Sequence, residues 1–228
     1  MKYLVFSDIH GSLYYAKKMK DIISSEKPDK IILLGDLYYH GPRNNLSEEY
    51  NPMEVANILN KYKNSILCIK GNCDAEVDEM ISEFSFQENI TLEINNKNFL
   101  FTHGHKYNKD NIPPNIDVLV YGHLHMPFIE IKDNVICVNS GSISLPKNNS
   151  AHTYLIIDNN LILIKDIDNP VGFTVSLTEG LILRCSLITS SLLRVLPSLS
   201  FSSNSFISAG VKYTPIFRIK LKVICLLS

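Results

Sequence analysis

No stretch of this sequence reaches the ~18 consecutive apolar residues that span a bilayer. Arg184, Arg194, Lys212, Arg218 and Lys220 interrupt its apolar C-terminal part. No transmembrane helix and no membrane partner are therefore expected. An h-region is missing as well, because the opening run Met1-Lys-Tyr-Leu-Val-Phe stops at Ser7-Asp8 and reads as a first buried strand. Strong charge is absent too: the formal net charge is −1, which gives no field to draw in nucleic acid or an anionic membrane. No stable nucleic-acid complex is expected, and any phosphate-bearing substrate must be held locally. The 5 cysteines have no regular spacing, which excludes a disulfide framework and points to the reducing cytoplasm. No internal repeat is found.

What is present is an ordinary globular sequence. Its 228 residues suit one domain of ~50–250 residues with an appendage. Hydrophobic residues make up 45%, enough for a sizeable core. Residues 3–7 form a β-type run, 12–25 carry helix-spaced apolar positions, and 30–34 return to a run, a strand–helix–strand unit. A second helical stretch at 52–62 leads into a third strand at 65–70. From residue 90 short strands follow at 90–94, 98–102, 117–121, 127–131, 135–138, 152–157 and 161–166. Asn95-Asn96, Asp133-Asn134 and Asn159-Asn160 are the hairpin turns, since Asn and Asp tolerate positive φ. The pattern is α/β, two sheets with helices outside. Past about residue 170 the sequence turns Ser- and Leu-rich, with six basic residues against Glu179 alone, and neither helix period nor strand alternation is read there.

Five short motifs fall where apolar strands end: Asp8-Ile-His10, Gly35-Asp36, Gly71-Asn72-Cys73-Asp74, Thr102-His103-Gly104-His105 and Gly122-His123-Leu124-His125. In open α/β sheets the carboxyl ends of strands are where ligands bind. The donors are mixed oxygen and imidazole, suited to Mn²⁺, Fe²⁺ or Zn²⁺ rather than Ca²⁺. In an extended D-x-H or H-x-H both side chains point to one face and reach one cluster. Singly each motif is weak, a Gly-Asp being usually a turn. Their ordered co-occurrence within residues 8–125 carries the argument.

This order resembles the calcineurin-like metallophosphoesterase superfamily, and Gly35-Asp36 followed by His40-Gly-Pro-Arg-Asn44 resembles its small bacterial YfcE-type phosphodiesterase branch. The resemblance implies a four-layer α-β-β-α sandwich of two mixed sheets flanked by helices, formed by residues 1–166, with 167–228 as an extension. It implies two divalent metal ions, typically Mn²⁺. One would be held by Asp8, His10, Asp36 and His125, and the other by Asp36, Asn72, His103 and His123. Asp36, Asn72 and His103 would be central to catalysis, and a hydroxide between the ions would attack a small phosphodiester. His40, Arg43 and Cys73 are the substrate-facing candidates. Arg43 could clamp a phosphate oxygen, while Cys73 stands where many superfamily members carry a His that protonates the leaving group. Near the strand ends, His105 could orient ligands, whereas His152 reads as structural. The segment Asn139-Ser-Gly-Ser-Ile-Ser-Leu-Pro-Lys147 resembles a family loop that usually has Pro at the place of Ser140. The competing reading is a protein-interaction scaffold of the same fold, like a retromer subunit. Such a scaffold is expected to lose metal donors, and all seven are present here. Family members are often homo-oligomers.

Overall fold

In a computed structural model the chain is described over residues 1–168, 171–176 and 182–187, the last two segments as backbone only. The first half alternates strand and helix: β1 (Lys2–Phe6), α1 (Leu13–Glu26), β2 (Lys30–Leu33), α2 (Pro52–Asn60), β3 (Ile66–Ile69), α3 (Glu76–Ile81) and β4 (Phe86–Gln87). Strands alone follow. They are β5 (Asn89–Ile94), β6 (Lys97–Thr102), β7 (Val118–Tyr121), β8 (Pro127–Lys132), β9 (Val135–Ser140), β10 (Thr153–Asp158), β11 (Leu161–Asp166), β12 (Val171–Ser176) and β13 (Ile182–Leu187). One sheet runs β13-β12-β11-β10-β1-β2-β3-β4 and the other β5-β6-β7-β9-β8. Both are mixed: β1-β2-β3-β4 and β6-β7-β9 are parallel, and the remaining neighbours are antiparallel.

The apolar runs are continuous because the central strands are covered on both faces. Tyr3 and Val5 of β1, Phe99 and Phe101 of β6, Val118 and Val120 of β7, and Leu155 and Ile157 of β10 meet between the two sheets. Their alternate neighbours Leu4, Phe6, Ile31, Leu33 and Ile156 face the helices. Burying one such side chain contributes roughly 1.5–3 kcal/mol, so this double coverage is what holds the layers together. Helix α1 turns Tyr15, Ala16, Met19 and Ile23 to the first sheet, and Ser12 caps it by accepting from Tyr15 N. Asn51 caps α2 in the same way, with Pro52 in its first turn. On the outer face of the second sheet, Leu119, Tyr121 and Cys137 are covered by Tyr107, Ile112 and Ile116. That layer is irregular chain rather than helix among the described residues.

All three expected hairpin turns form. Asn95, Asn96, Asp133, Asn134 and Asn159 each have positive φ. Two short elements, α3 and β4, were not expected from the sequence. The strands β12 and β13 also lie where no strand alternation is read, and they extend the first sheet beyond β11. No helix among the described residues is long and apolar enough to cross a membrane.

Candidate metal centre

The carboxyl ends of β1, β2, β3, β6 and β7 gather all seven expected donors at one end of the sandwich. After β1 and β2 the chain stays laced although the strands have ended. Asp8 N donates to Gly35 O at 3.1 Å, His10 N to Asp36 O at 2.9 Å and Gly11 N to Leu37 O at 2.9 Å. On the second sheet, Gly122 N donates to His103 O at 2.9 Å. Close approach requires glycine at two places: a Cβ on Gly71 would lie 2.2 Å from Asp36 Oδ1, and one on Gly122 would lie 1.9 Å from Ser7 Oγ.

Asp8-Ile-His10 and His123-Leu-His125 are not extended strand. Asp8, His10, Asp36, His123 and His125 all have φ between 48° and 65°. Strand alternation, expected from the D-x-H and H-x-H spacing, therefore does not aim these pairs; left-handed residues flanking the intervening Ile9 or Leu124 do. Such conformations cost of order 1–3 kcal/mol each for non-glycine residues and cluster at functional sites. The surrounding packing must supply that energy.

Within the cluster, three imidazoles hand their outer nitrogen to a backbone carbonyl. His10 Nδ1 is 2.7 Å from Tyr39 O, His103 Nδ1 2.7 Å from Leu34 O, and His125 Nδ1 2.6 Å from Leu145 O. A proton on Nδ1 leaves the Nε2 lone pair facing inward, the arrangement seen in metal-ligating histidines. There the inward atoms crowd together: His10 Nε2 lies 3.3 Å from His125 Nε2, His125 Nε2 3.2 Å from Asp8 Oδ1, and His103 Nε2 3.0 Å from Asn72 Oδ1 and 3.2 Å from His123 Nδ1. Asp8 Oδ1 is buried without a hydrogen-bond partner, whereas Oδ2 accepts from Ser7 Oγ and His123 N. Lone pairs packed this closely require positive charge among them. Asp8-His10-His125 and Asp36-His103-His123 each converge within the reach of one cation. Asp36 faces both halves, since Oδ2 lies 3.8 Å from His10 Nε2 and 3.4 Å from His103 Nε2 while Oδ1 accepts from Cys73 N at 2.8 Å.

The electrostatics say the same. Burial opposes a charge on His103, yet its hydrogen bond to Asp36 and the nearby carboxylates push it up to about 9, so a proton stands in when no cation does. Burial also works against the Asp8 charge, but His125, His103 and His10 hold that carboxyl well below the usual range. His123, desolvated and beside His103, falls to about 4 and keeps its lone pair free.

The surrounding shell was not read from the sequence. Asp74 accepts from Asp36 N at 2.8 Å, Leu37 N at 2.8 Å and Gly71 N at 2.7 Å, tying the second and third motifs together. Burial and Asp36 push its carboxyl up to about 6 against these bonds. Ser142 and Ser144 both donate to Asp8 O, at 2.7 and 2.9 Å, which is the work of the Asn139-Ser-Gly-Ser loop. The sequence signal for Asp74 was its place in Gly-Asn-x-Asp; for the two serines there was only the family loop.

A cleft of about 470 Å³ opens above the donors. Arg43 and Cys73 line it, as do Asn44 of the same motif, Lys147 at the end of the loop that begins at Asn139, and Tyr39, which the sequence did not single out. His40 does not line it and instead packs edge-on to the rings of Tyr39 and Tyr50. Its place after Asp36 groups it with substrate in the sequence, and its neighbours Tyr39 and Gly41 do line the cleft, but its own ring packs into the loop between Tyr39 and Tyr50. His105 is exposed, 5.4 Å from the His103 ring centroid, and makes no hydrogen bond to a donor. His152 bonds Ile143 O and Tyr15 OH, both at 2.9 Å, away from the cluster.

A family model described as the calcineurin-like phosphoesterase superfamily domain matches residues 1–160. "Phosphodiesterase YfcE" of Escherichia coli (strain K12) is 37% identical over 167 residues, 72% of this chain and 91% of that protein. The solved structure of Yfce, a phosphoesterase from E. coli, is similar with a TM-score of 0.75 and 32% identity, covering 78% of this chain and 100% of the other. Vacuolar protein sorting 29 from Cryptosporidium parvum shares the fold, with a TM-score of 0.51 and 15% identity over 81% of this chain and 96% of that one.

Proposed function

The chain belongs to the calcineurin-like phosphoesterase superfamily and is a phosphoric diester hydrolase, and from that premise we propose that it cleaves small phosphodiesters by a two-metal mechanism. The residues proposed as ligands are Asp8, His10, Asp36 and His125 for one ion, and Asp36, Asn72, His103 and His123 for the other. The observation that carries this reading is the convergence of buried carboxylate oxygens and imidazole nitrogens into two clusters, with Asp8 Oδ1 left without a hydrogen-bond partner. Two divalent cations, proposed as Mn²⁺ with Fe²⁺ or Zn²⁺ acceptable to the same donors, would neutralise phosphoryl oxygens and acidify water to a hydroxide nucleophile.

The chain's own residues do the rest. Asp36 is proposed to serve both halves through Oδ2, which faces His10 and His103 while Cys73 N holds Oδ1, and Asp74 fixes the backbone from which it reaches. Asn72 and the four imidazoles are neutral donors, so the donor set carries only the two charges of Asp8 and Asp36 and the loaded site attracts an anionic diester. Arg43, on the cleft wall, is proposed to bind an anionic group of the substrate. Burial and then Asp36 push the Cys73 thiol up to about 12, so it is a poor proton donor to a leaving group at neutral pH. The free thiols Cys68, Cys73 and Cys137 suit the reducing cytoplasm proposed for the protein. A scaffold role has the shared fold behind it, but a scaffold has no need of a complete donor set.

The test is metal analysis of the purified full chain, followed by rates on a panel of phosphomonoesters and diesters after chelation and after adding Mn²⁺, Fe²⁺ or Zn²⁺. Turnover abolished by chelation, restored by metal and favouring diesters is expected. A chain that neither takes up metal nor hydrolyses any ester would be a scaffold.

A further inference from the structure

The cleft volume falls in the ~300–1,000 Å³ range of small-molecule sites, so it admits an ester arm as well as the phosphoryl group. Two side chains on its wall, Arg43 and Lys147, carry positive charge that the donor cluster does not use. Neither head group has an ion-pair or hydrogen-bond partner among the described residues. Lys147 is nevertheless held on fixed backbone. Its N–H donates to His125 O at 3.0 Å, and its carbonyl accepts from Ser150 N at 3.0 Å and Ser150 Oγ at 2.7 Å. The lysine is thus attached directly to the loop of a metal donor.

Charge counting gives this placement meaning. With two divalent ions and the carboxylates of Asp8 and Asp36 the centre has a surplus of two positive charges. A singly charged diester and a water that has lost a proton cancel that surplus. Asp74, on the same wall, is committed to three backbone N–H groups. Even with the charge of Asp74 counted, the two cations of Arg43 and Lys147 leave one positive charge on the cleft wall without a counter-charge.

We propose that Lys147, with Arg43, forms a subsite for a second anionic group, a phosphate or carboxylate, on the non-departing arm of the diester. The substrate class is a phosphodiester with at least two negative charges. This rests on the phosphodiesterase reading above.

The experiment uses the full chain with Mn²⁺ and three diesters that share a p-nitrophenolate leaving group, their other arm ending in a methyl, a carboxylate or a phosphate. At least one anionic arm is expected to exceed the methyl arm in kcat/KM by about tenfold, and whichever is preferred identifies the anion. Lys147→Met should shrink that ratio five- to tenfold, mainly through KM. Lys147→Arg should largely keep it, and Lys61→Met, at the end of α2, should leave it unaltered. High salt should also reduce the preference. A wild-type ratio near one, or a ratio that survives both Lys147→Met and Arg43→Met, overturns the subsite while leaving the phosphodiesterase intact. No turnover of any of the three diesters overturns both.

Discussion

Replacing Asp74 by alanine should damage the centre without touching a metal donor. The three backbone N–H groups of Asp36, Leu37 and Gly71 would each lose a charge-assisted acceptor at 2.7–2.8 Å. An unsatisfied buried donor costs about 1–3 kcal/mol, so three approach about 3–9 kcal/mol before relaxation. Asp74 borders the cleft, and water entering the space left by the carboxylate would recover part of that loss. The expected net destabilisation is about 3–4 kcal/mol, or a fall in Tm of roughly 6–16 °C for a chain of this size. Because the lost bonds fix the Asp36 backbone, metal affinity should fall as well, by the ~10–100-fold typical of residues that orient ligands. Asp74→Asn, which keeps one accepting oxygen, should lie between. Thermal unfolding in chelator and metal titration of the folded variant provide the two readings. A Tm within about 2 °C of wild type, or unchanged metal affinity, would refute the role given to Asp74.

Other consequences are equally open to measurement. Because His103 is pushed up to about 9, metal uptake at pH 7 should release about one proton, and apparent affinity should rise up to tenfold per pH unit until it levels near pH 9. The same proton stabilises the metal-free fold fully below about pH 6.5 and ceases to do so as pH rises through about 9; calorimetry in buffers of different ionisation enthalpy reads the release, and none at pH 7 would contradict it. Cys73→His should flatten the dependence of rate on leaving-group pKa that the wild-type thiol leaves steep, and identical slopes would place the general acid elsewhere. A chain ending near Ile167 keeps every donor and should retain metal binding and turnover, with lower solubility because the edge of β11 is exposed; lost activity in folded, soluble protein would mean that the sheet extension supports the site.

Much of the architecture was legible because the local signals were strong. Runs such as Leu4-Val-Phe6 and Val118-Leu-Val-Tyr121 are apolar at every position, as strands between two layers must be. Asn95-Asn96 and Asp133-Asn134 supplied the positive φ of their hairpins. The donors were legible because each follows such a run. Their aim was not: a D-x-H in extended chain and one in left-handed chain are spelled alike, and only tertiary lacing such as His10 N to Asp36 O selects the second. Asp74 was visible as a motif letter, but its three N–H partners come from two separate loops. Lys147 ends the loop that begins at Asn139, but its place beside the cleft comes from the tertiary bond of its N–H to His125 O. The segments α3 and β4, at 6 and 2 residues, are too short for periodicity to register.

The central claim is that one carboxylate serves two metal ions, and metal stoichiometry of Asp36→Asn tests it most directly. Asp36 Oδ2 faces His10 on one side and His103 on the other, while Oδ1 is tied to Cys73 N. Asparagine preserves the size of the side chain and leaves one neutral oxygen for both halves, so the folded variant should retain at most one tightly bound divalent ion per chain where the wild type holds two. Its diester hydrolysis should fall by about 10²-fold or more, as expected for a lost transition-state electrostatic contact. Two ions per chain and near-wild-type turnover in well-folded Asp36→Asn protein would contradict the account.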